Sequence, residues 1–182
     1  MSLISIVIPA YNEERFLKKV IEDVSQIDIG QFGFKKEIVV VDDGSTDKTL
    51  EIAKSFNHIK VISQKNAGKG SAVQTGLSQA SGDYFIVQDA DSEYFAEDIL
   101  EMAKCLQLNP QAVVYGSRYM SCRLLFNFFG IKIYSSYKNQ LLSSYVANIV
   151  INLMTLFLYG KWITDTLTGY KLYPSKDRKS VV

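Results

Sequence analysis

The sequence has 182 residues, of which 47% are hydrophobic and 21% are charged, and its formal net charge is +1. This length suits one well-buried domain and is too short for two comfortable ones. The near-neutral charge, without a basic stripe interleaved with aromatic residues, argues against a nucleic-acid partner.

The cysteines, the histidine and the N-terminus exclude several further classes. Cys105 and Cys122 are isolated in the sequence, which excludes a Cys-based zinc site and fits a reducing compartment. His58, the only histidine, lies in a polar segment, where an exposed loop residue is a better interpretation than a triad member. The N-terminus has no basic region and only a short apolar run, so we expect a first strand and not a signal peptide.

Apolar runs alternate with helical patterns along the first two thirds of the chain. Runs rich in Val and Ile predict strands, and they lie at residues 3–8, 37–41, 59–62, 84–87 and 112–115. The first helix is expected to begin after Asn12 as its N-cap and to place Phe16 on its core face, whereas residues 29–34 are expected to form a loop. Because the strands are apolar throughout, the sequence predicts an α/β fold with a mostly parallel sheet and helices on both faces.

Polar clusters follow the predicted strands. They contain Tyr11 and Glu13 after the first strand, Asp42 and Asp43 after the second, Asp89 and Asp91 after the fourth, and Arg118 after the fifth. Ligands of parallel sheets bind beyond the carboxyl ends of the strands. The sequence therefore predicts a single site at that edge of the sheet.

Three carboxylates at alternate positions end the fourth strand. In extended chain Asp89, Asp91 and Glu93 share one face. Oxygen ligands suit a hard divalent cation, which in turn suits a phosphate-bearing ligand. The alternative is a polar corner between strand and loop, where Asp is common for turn reasons.

Residues 139–160 carry no charge and are long enough to cross a bilayer. Polar residues nevertheless recur at every fourth position, at Gln140, Ser144, Asn148 and Asn152. This stripe favours an apolar amphipathic helix that lies against the domain or in the membrane interface over a spanning one. Residues 175–182 are expected to form a basic tail.

Three familiar ligand-binding motifs are incomplete. Ser63 stands where a P-loop needs Gly, and Val73 stands where a dinucleotide fingerprint needs Gly or Ala. An EF-hand that starts at Asp89 would need Gly where the chain has Tyr94. A P-loop ATPase, a Rossmann dehydrogenase and a calcium sensor are all disfavoured.

Six motifs together resemble the family 2 glycosyltransferases of the GT-A fold, and within them the dolichyl- or polyprenyl-phosphate sugar transferases. The motifs are IPAYNE at 8–13, VDDGSTD at 41–47, NAGKG at 66–70, QDAD at 88–91, YGSR at 115–118 and TDTLTGYK at 164–171. The resemblance implies a single GT-A-type, Rossmann-like domain over residues 1–174. Within it, residues 1–118 would bind the nucleotide sugar and residues 119–174 would face the acceptor and the membrane.

The resemblance also implies roles on the donor side. The residues implied to bind the donor are Pro9, Tyr11, Glu13, Asp42, Asp43, Lys69, Gln88, Asp89 and Ala90. Asp89 and Asp91 match the DxD motif that holds Mg²⁺ or Mn²⁺ on the donor diphosphate, and Glu93 stands where related enzymes offer a further metal ligand. The residue types alone leave a structural alternative. Asp43 and Asp47 could be turn residues, Tyr11 and Glu13 could begin a helix, and Lys69 could be a solvated surface charge.

On the acceptor side the resemblance implies that Arg118 and Lys171 meet an acceptor phosphate and that Asp165 lies in the acceptor motif. Asp91, Arg118 and Asp165 are the implied catalytic residues. A phosphate acceptor is already an anion and needs cations to dock it. If the acceptor were a hydroxyl, Asp165 would be the candidate base. Arg118 and Lys171 could otherwise be surface charges.

The function implied is an inverting, metal-dependent transfer of sugar from a UDP- or GDP-linked donor to a polyprenyl or dolichyl phosphate. The expected location is the cytoplasmic face of the membrane, as a peripheral protein. Two departures leave alternatives open: Ser92 and Phe95 stand where the family often has Leu and Asp, and arginines are scarce after Arg118. The alternatives are a polysaccharide or other hydroxyl acceptor, and a truncated remnant that binds nucleotide sugar without catalysis.

Overall fold

The computed structural model describes residues 1–91, 94–116, 142–160, 165 and 168–176, with the backbone alone for 142–146. The strands are β1 (Ser2–Ala10), β2 (Phe34–Asp42), β3 (Lys60–Ser63), β4 (Tyr84–Val87), β5 (Val114–Tyr115) and β6 (Lys171–Pro174). The helices are α1 (Leu17–Gln26), α2 (Thr49–Lys54), α3 (Lys69–Gln79), α4 (Asp98–Leu108) and α5 (Leu142–Tyr159), with a 3-10 helix over Gly30–Phe32.

The strands form one six-stranded sheet in the order β3-β2-β1-β4-β6-β5. β1 pairs in parallel with β2 and β4, and β2 pairs in parallel with β3. β6 runs antiparallel to β4, and it was not among the predicted strands. The prediction of an α/β fold with a mostly parallel sheet is confirmed.

The central strands are apolar throughout because both of their faces are covered. Ile6 and Ile8 of β1 belong to the cluster that packs with α1 and α4, whereas Val7 belongs to a second cluster on the α3 side. Gly76 lets α3 approach the sheet closely, since a Cβ there would lie 2.3 Å from a methyl carbon of Val7. This close packing fixes where the N-terminus of α3 points.

Two predicted boundaries are wrong. α1 begins at Leu17 and not after Asn12, because Asn12 adopts a left-handed φ of 56° and uses its side chain elsewhere; Phe16 is accordingly 45% exposed. The predicted loop at 29–34 contains the 3-10 helix of Gly30–Phe32, and β2 begins at Phe34 after Gly33. The cause is the long pairing with β1, which runs in register from Ser2 opposite Phe34 to Ala10 opposite Asp42.

The chain divides into two compact units, one of residues 1–114 with the segment from Tyr170 onward, and one of residues 115–169. The second unit contains α5, where Asn148 and Asn152 are buried while Leu153, Met154 and Phe157 are exposed. Two members of the predicted polar stripe therefore lie inside and apolar side chains lie outside. Among the described helices, none is long and apolar enough to cross a membrane.

Candidate functional site

A cavity of about 450 Å³ lies at the carboxyl ends of β1, β2 and β4. The predicted residues that line it are Pro9, Tyr11, Glu13, Asp43, Lys69, Asp89, Ala90 and Asp91. Ala10, Asn66, Gly68 and Ala72 complete the lining. The parallel strands thus bring separate motifs of the sequence to one edge of the sheet, as expected for an α/β site.

The loop after β1 is held by the loop after β2. The backbone N–H of Asn12 donates to Oγ of Ser45 at 3.0 Å, and the N–H of Thr46 donates to Oδ1 of Asn12 at 2.8 Å. The N–H of Glu13 donates to Oγ1 of Thr49 at 2.8 Å. These reciprocal bonds require the left-handed backbone of Asn12, a conformation that Asn tolerates better than most residues, and they fix Tyr11 and Glu13 at the cavity.

Asp47 also stabilises the contact between the loop after β1 and the loop after β2. Its Oδ1 accepts from the backbone N–H of Thr49 at 2.9 Å, and its Oδ2 accepts from the N–H of Glu14 at 3.2 Å. Burial raises the pKa of Asp47, but the hydrogen bonds from Thr49 and Glu14 outweigh it and hold that pKa below its ordinary value. The interpretation of Asp47 as a turn residue at a helix start is confirmed.

Asp43 is 3% exposed and organises the loop before α3. Its Oδ1 accepts from Nε2 of Gln64 at 2.6 Å and from the N–H of Ala67 at 3.0 Å, and its Oδ2 accepts from the N–H of Gly68 at 2.8 Å. A buried carboxylate is stable only when such donors replace water. Asp43 therefore shapes the cavity wall as well as lining it.

Asp42 lies deeper, at 1% exposure. Its Oδ1 accepts from the N–H of Ser45 at 3.2 Å and its Oδ2 from Oγ of Ser63 at 3.0 Å. The turn that follows needs Gly44, which has a φ of 73° and whose added Cβ would lie 2.7 Å from the backbone nitrogen of Asn66. Asp42 is not among the residues that line the cavity, and its role in donor binding stays a prediction.

The acidic side of the cavity carries Asp89 and Asp91 from the end of β4. Oδ1 of Asp89 lies 2.7 Å from Nζ of Lys69, with side-chain exposures of 18% and 65%. Burial raises the pKa of Glu13 above its ordinary value, and the neighbouring carboxylates of Asp91, Asp47 and Asp89 raise it further. Negative charge therefore converges on this side of the cavity.

A divalent metal fits this donor set in one specific way. Within the described ranges, no group of three or more His, Cys, Asp or Glu residues is placed to hold a metal by itself. Mg²⁺ and Mn²⁺ are commonly held by one or two carboxylates, with substrate phosphates and water completing the shell. Asp89 and Asp91 fit such a site, and the third predicted ligand, Glu93, lies outside the described residues.

Gln88, predicted to bind the donor, occupies a different position. Its Oε1 accepts from the hydroxyl of Tyr170 at 2.7 Å, and its Nε2 donates to the carbonyls of Asp89 and Tyr94, both at 3.2 Å. The rings of Tyr94 and Tyr170 stack with their centroids 4.6 Å apart. Gln88 lines a second cavity of about 180 Å³ and positions the backbone of the acidic loop.

The predicted acceptor residues fall in separate parts of the chain. Lys171 is the half-buried first residue of β6, in the first unit. Asp165 is fully buried and belongs to the second unit. Arg118 lies outside the described residues, as does most of the segment predicted to face the acceptor.

Sequence reasoning missed two kinds of residue. Asn66 and Gly68 line the cavity, and the NAGKG motif that contains them could have indicated this. Gln64 carried no signal, although its Nε2 donates to Asp43 and its Oε1 accepts from the hydroxyl of Thr75 at 2.6 Å. A single amide in a polar loop is too common to predict such a role.

Comparisons with known proteins agree with this geometry. Residues 5–169 match Glycosyl transferase family 2. The chain is 29% identical over 191 residues to the UDP-N-acetylglucosamine–dolichyl-phosphate N-acetylglucosaminyltransferase of Methanococcus voltae, covering 94% of the chain and 69% of that relative. It is 40% identical over 121 residues to the dolichol-phosphate mannosyltransferase of Pyrococcus furiosus, covering 64% of the chain and 33% of that relative.

A solved structure shows the same fold. Glucosyl-3-phosphoglycerate synthase from Mycobacterium tuberculosis, in complex with Mn²⁺, UDP and phosphoglyceric acid, superposes with a TM-score of 0.67 at 22% identity. The superposition covers 96% of the chain and 56% of that protein. It confirms the GT-A-type fold, and the chain spans about half the length of this structural neighbour.

Proposed function

Because the chain belongs to glycosyl transferase family 2, we propose that it transfers a sugar from a nucleoside-diphosphate sugar to a lipid-linked phosphate. The observation that carries the donor half is the shared cavity, which is lined by Asp43 after β2, by Pro9 and Tyr11 at the end of the neighbouring β1, and by Asp89 and Asp91 after β4. The acceptor half rests on the relatives, two of which are named for dolichyl phosphate or dolichol phosphate.

The donor side is built to bind a nucleotide and its diphosphate. Tyr11, 48% exposed, offers a ring face, and Asp43 holds the backbone of Ala67 and Gly68 at the cavity. Asp89 and Asp91 would hold Mg²⁺ or Mn²⁺, which supplies positive charge to the departing diphosphate when bound. Lys69, at the N-terminus of α3, would add a second positive charge beside that leaving group.

The acceptor needs orientation more than activation. A lipid phosphate is an anion at neutral pH, so it can attack without a strong base once cations dock it. We assign that docking to Arg118 and Lys171 and a supporting role to Asp165. Inversion follows from one displacement, in which the phosphate oxygen forms the new bond as the nucleoside diphosphate leaves from the opposite face.

The donor half is tested by thermal unfolding of the protein with a panel of UDP- and GDP-sugars, each with and without Mn²⁺. A ligand that binds only the folded state raises Tm, so we expect one base to stabilise the protein, and only with the metal. Asp91→Ala should abolish this stabilisation, whereas Glu101→Ala, which removes an exposed carboxylate of α4, should retain it. A panel without any metal-dependent shift would contradict the proposal.

The acceptor half is tested with the donor that the panel selects. Detergent-solubilised polyprenyl phosphate should accept the labelled sugar, and free oligosaccharides should not. Transfer to a hydroxyl acceptor would contradict the proposal of a lipid phosphate and support the alternative in which Asp165 acts as base. Donor binding without turnover on either acceptor would identify a binding protein and contradict transfer.

We further propose that the protein acts as a peripheral protein on the cytoplasmic surface of a membrane. The support is α5, which exposes Leu153, Met154, Phe157 and Leu158, because exposed apolar side chains on one helix suit an interfacial position. The protein should float with phospholipid vesicles in a sucrose gradient. Phe157→Ser should lower the affinity for the vesicles about tenfold, because the phenyl ring is no longer buried in the membrane. Equal flotation of the two proteins would contradict the proposal.

A further inference from the structure

Lys69 is placed to have two alternative partners. It is the first residue of α3, it lines the cavity, and its ammonium lies 2.7 Å from Oδ1 of Asp89. Gly68 precedes it with a φ of 88° and Gly70 follows it, and an added Cβ at either glycine would meet nothing within 4 Å. The backbone on either side of Lys69 is therefore uncrowded, and 65% of the lysine side chain is exposed.

We propose that Lys69 is an exchangeable counter-ion of Asp89, which it neutralises before the donor binds and releases when a divalent cation arrives with the nucleotide. The inference rests on the proposed function, in which Lys69 meets the donor diphosphate, and deepens it by adding the exchange of Lys69 away from Asp89. Lys69 is thereby a residue that couples metal loading to nucleotide loading.

The charges of the cavity supply the reason for a counter-ion. Glu13, Asp89 and Asp91 all line it, and like charges that share a site destabilise one another. The ion pair of Lys69 with Asp89 offsets part of this repulsion. It also occupies an oxygen that a metal ion would need, since an ammonium and a divalent cation repel each other at one carboxylate.

The exchange itself costs little. Lysine is a point charge on a flexible stem, and an ion pair with one largely exposed partner contributes little free energy. When the metal takes Asp89, the ammonium needs an anion nearby, and a diphosphate at the N-terminus of α3 would supply one together with the free backbone N–H groups of the first turn. Lys69 would then oppose metal binding in the empty protein and favour nucleotide binding in the loaded one.

The two opposite effects define the experiment. Mn²⁺ binding to nucleotide-free protein is measured by electron paramagnetic resonance of the unbound ion, for wild type, Lys69→Met and Lys65→Met. Lys65 is an exposed residue of the same loop and does not line the cavity, so its replacement controls for the loss of one positive charge. We expect Lys69→Met to bind Mn²⁺ about two- to tenfold more tightly and Lys65→Met less than about twofold.

The second arm measures UDP and GDP binding in saturating Mn²⁺ by titration calorimetry. We expect Lys69→Met to weaken the nucleotide that wild type prefers by about three- to thirtyfold, a typical loss for a charge-assisted contact to phosphate. Lys65→Met should again stay close to wild type. Melting temperatures of all three proteins, measured without ligand, establish that the differences come from the site and not from unfolding.

The outcomes separate the inference from the function on which it rests. Unchanged or weaker Mn²⁺ binding by Lys69→Met, with wild type binding Mn²⁺ and nucleotide normally, overturns the exchange and leaves the proposed function intact. An equal gain in Lys65→Met also overturns it, because the effect would then be a general change of charge. Wild-type protein that binds neither Mn²⁺ nor a Mn²⁺-nucleotide complex overturns both.

Discussion

The two acidic walls of the cavity are built in opposite ways. On one wall the carboxylate of Asp43 is buried and accepts three hydrogen bonds from the loop of residues 64–68. On the other wall Asp89 is paired with Lys69, a side chain that is 65% exposed. The first carboxylate holds the protein together, and the second is available for exchange.

This difference shows that the groups which replace the hydration water of a carboxylate indicate whether its role is structural or exchangeable. Backbone donors are fixed by the fold, so a carboxylate that they satisfy can leave them only at a high cost in free energy. A lysine on a flexible stem can move away at little cost. Four substitutions test this comparison, beginning with the one that should destabilise the fold most.

Asp43→Ala should lower the free energy of unfolding by about 2–4 kcal/mol, because it removes a buried carboxylate that accepts from the partly buried donors of Gln64, Ala67 and Gly68. Urea unfolding followed by circular dichroism measures this. Asp43→Asn keeps one acceptor oxygen and should cost about half as much. A loss below about 1 kcal/mol for Asp43→Ala would mean that water replaces the carboxylate, and the proposed contrast between the walls would fail.

Gly44→Ala should cost about 1–3 kcal/mol, since the residue has a φ of 73° and its Cβ would lie 2.7 Å from the backbone nitrogen of Asn66. Gly33 supplies the matched control, with a φ of 82° and nothing within 4 Å of an added Cβ. Gly33→Ala should cost about 1 kcal/mol from the backbone conformation alone. Equal losses in the two variants would show that the loops do not need to approach so closely.

Asp98→Asn tests α4, which follows the acidic wall. Burial, with a smaller contribution from Glu97, raises the pKa of Asp98 to about 6 from an ordinary 3.8. The folded state therefore binds the proton more tightly, and the wild type loses this stability as the pH rises from about 4 through about 6. At pH 7 Asp98→Asn should be more stable by about 1 kcal/mol, after allowance for solvent screening of a half-buried group.

The measurement is urea unfolding of wild type and Asp98→Asn at intervals between pH 4 and pH 7.5. The variant should show a flatter dependence of stability on pH, whereas Glu101→Gln on the exposed side of α4 should keep the wild-type slope. Identical slopes in all three proteins would mean that the carboxyl group of Asp98 is solvated in the folded state. The result also gives the pH dependence of stability that comes from Asp98, which must be subtracted before pH effects on the cavity are interpreted.

The sequence predicted the parts of this molecule that depend on local pattern. Continuous runs of Val and Ile indicate the buried strands. The motifs that follow these strands converge because the carboxyl ends of parallel strands meet at one edge of the sheet. The helix start at Asn12 was predicted wrongly because its side chain bonds Thr46, a partner 34 positions away. β6 was missed for the same reason: its pairing with β4 is a contact between distant residues.

The roles of the site residues show the same limit. The resemblance to the family placed Asp43 and Asp89 in one list of donor-binding residues, because each belongs to one of its motifs. It could not distinguish a carboxylate satisfied by backbone N–H groups from one paired with a lysine, since that depends on the path of the loop between Gln64 and Gly68. The distinction appears only when the loops are placed in space.

Asp89→Asn should change the free energy of unfolding least, by less than about 0.5 kcal/mol, because it removes an ion pair whose lysine is largely exposed. The same substitution should nevertheless abolish the Mn²⁺-dependent stabilisation by nucleotide sugar, since one of two carboxylate ligands loses its charge. Asp43→Ala should lose both stability and donor binding, so the pair separates a structural carboxylate from an exchangeable one. Urea unfolding and donor-dependent Tm shifts of both variants measure these two effects. A destabilisation of Asp89→Asn as large as that of Asp43→Ala would show that both walls are structural.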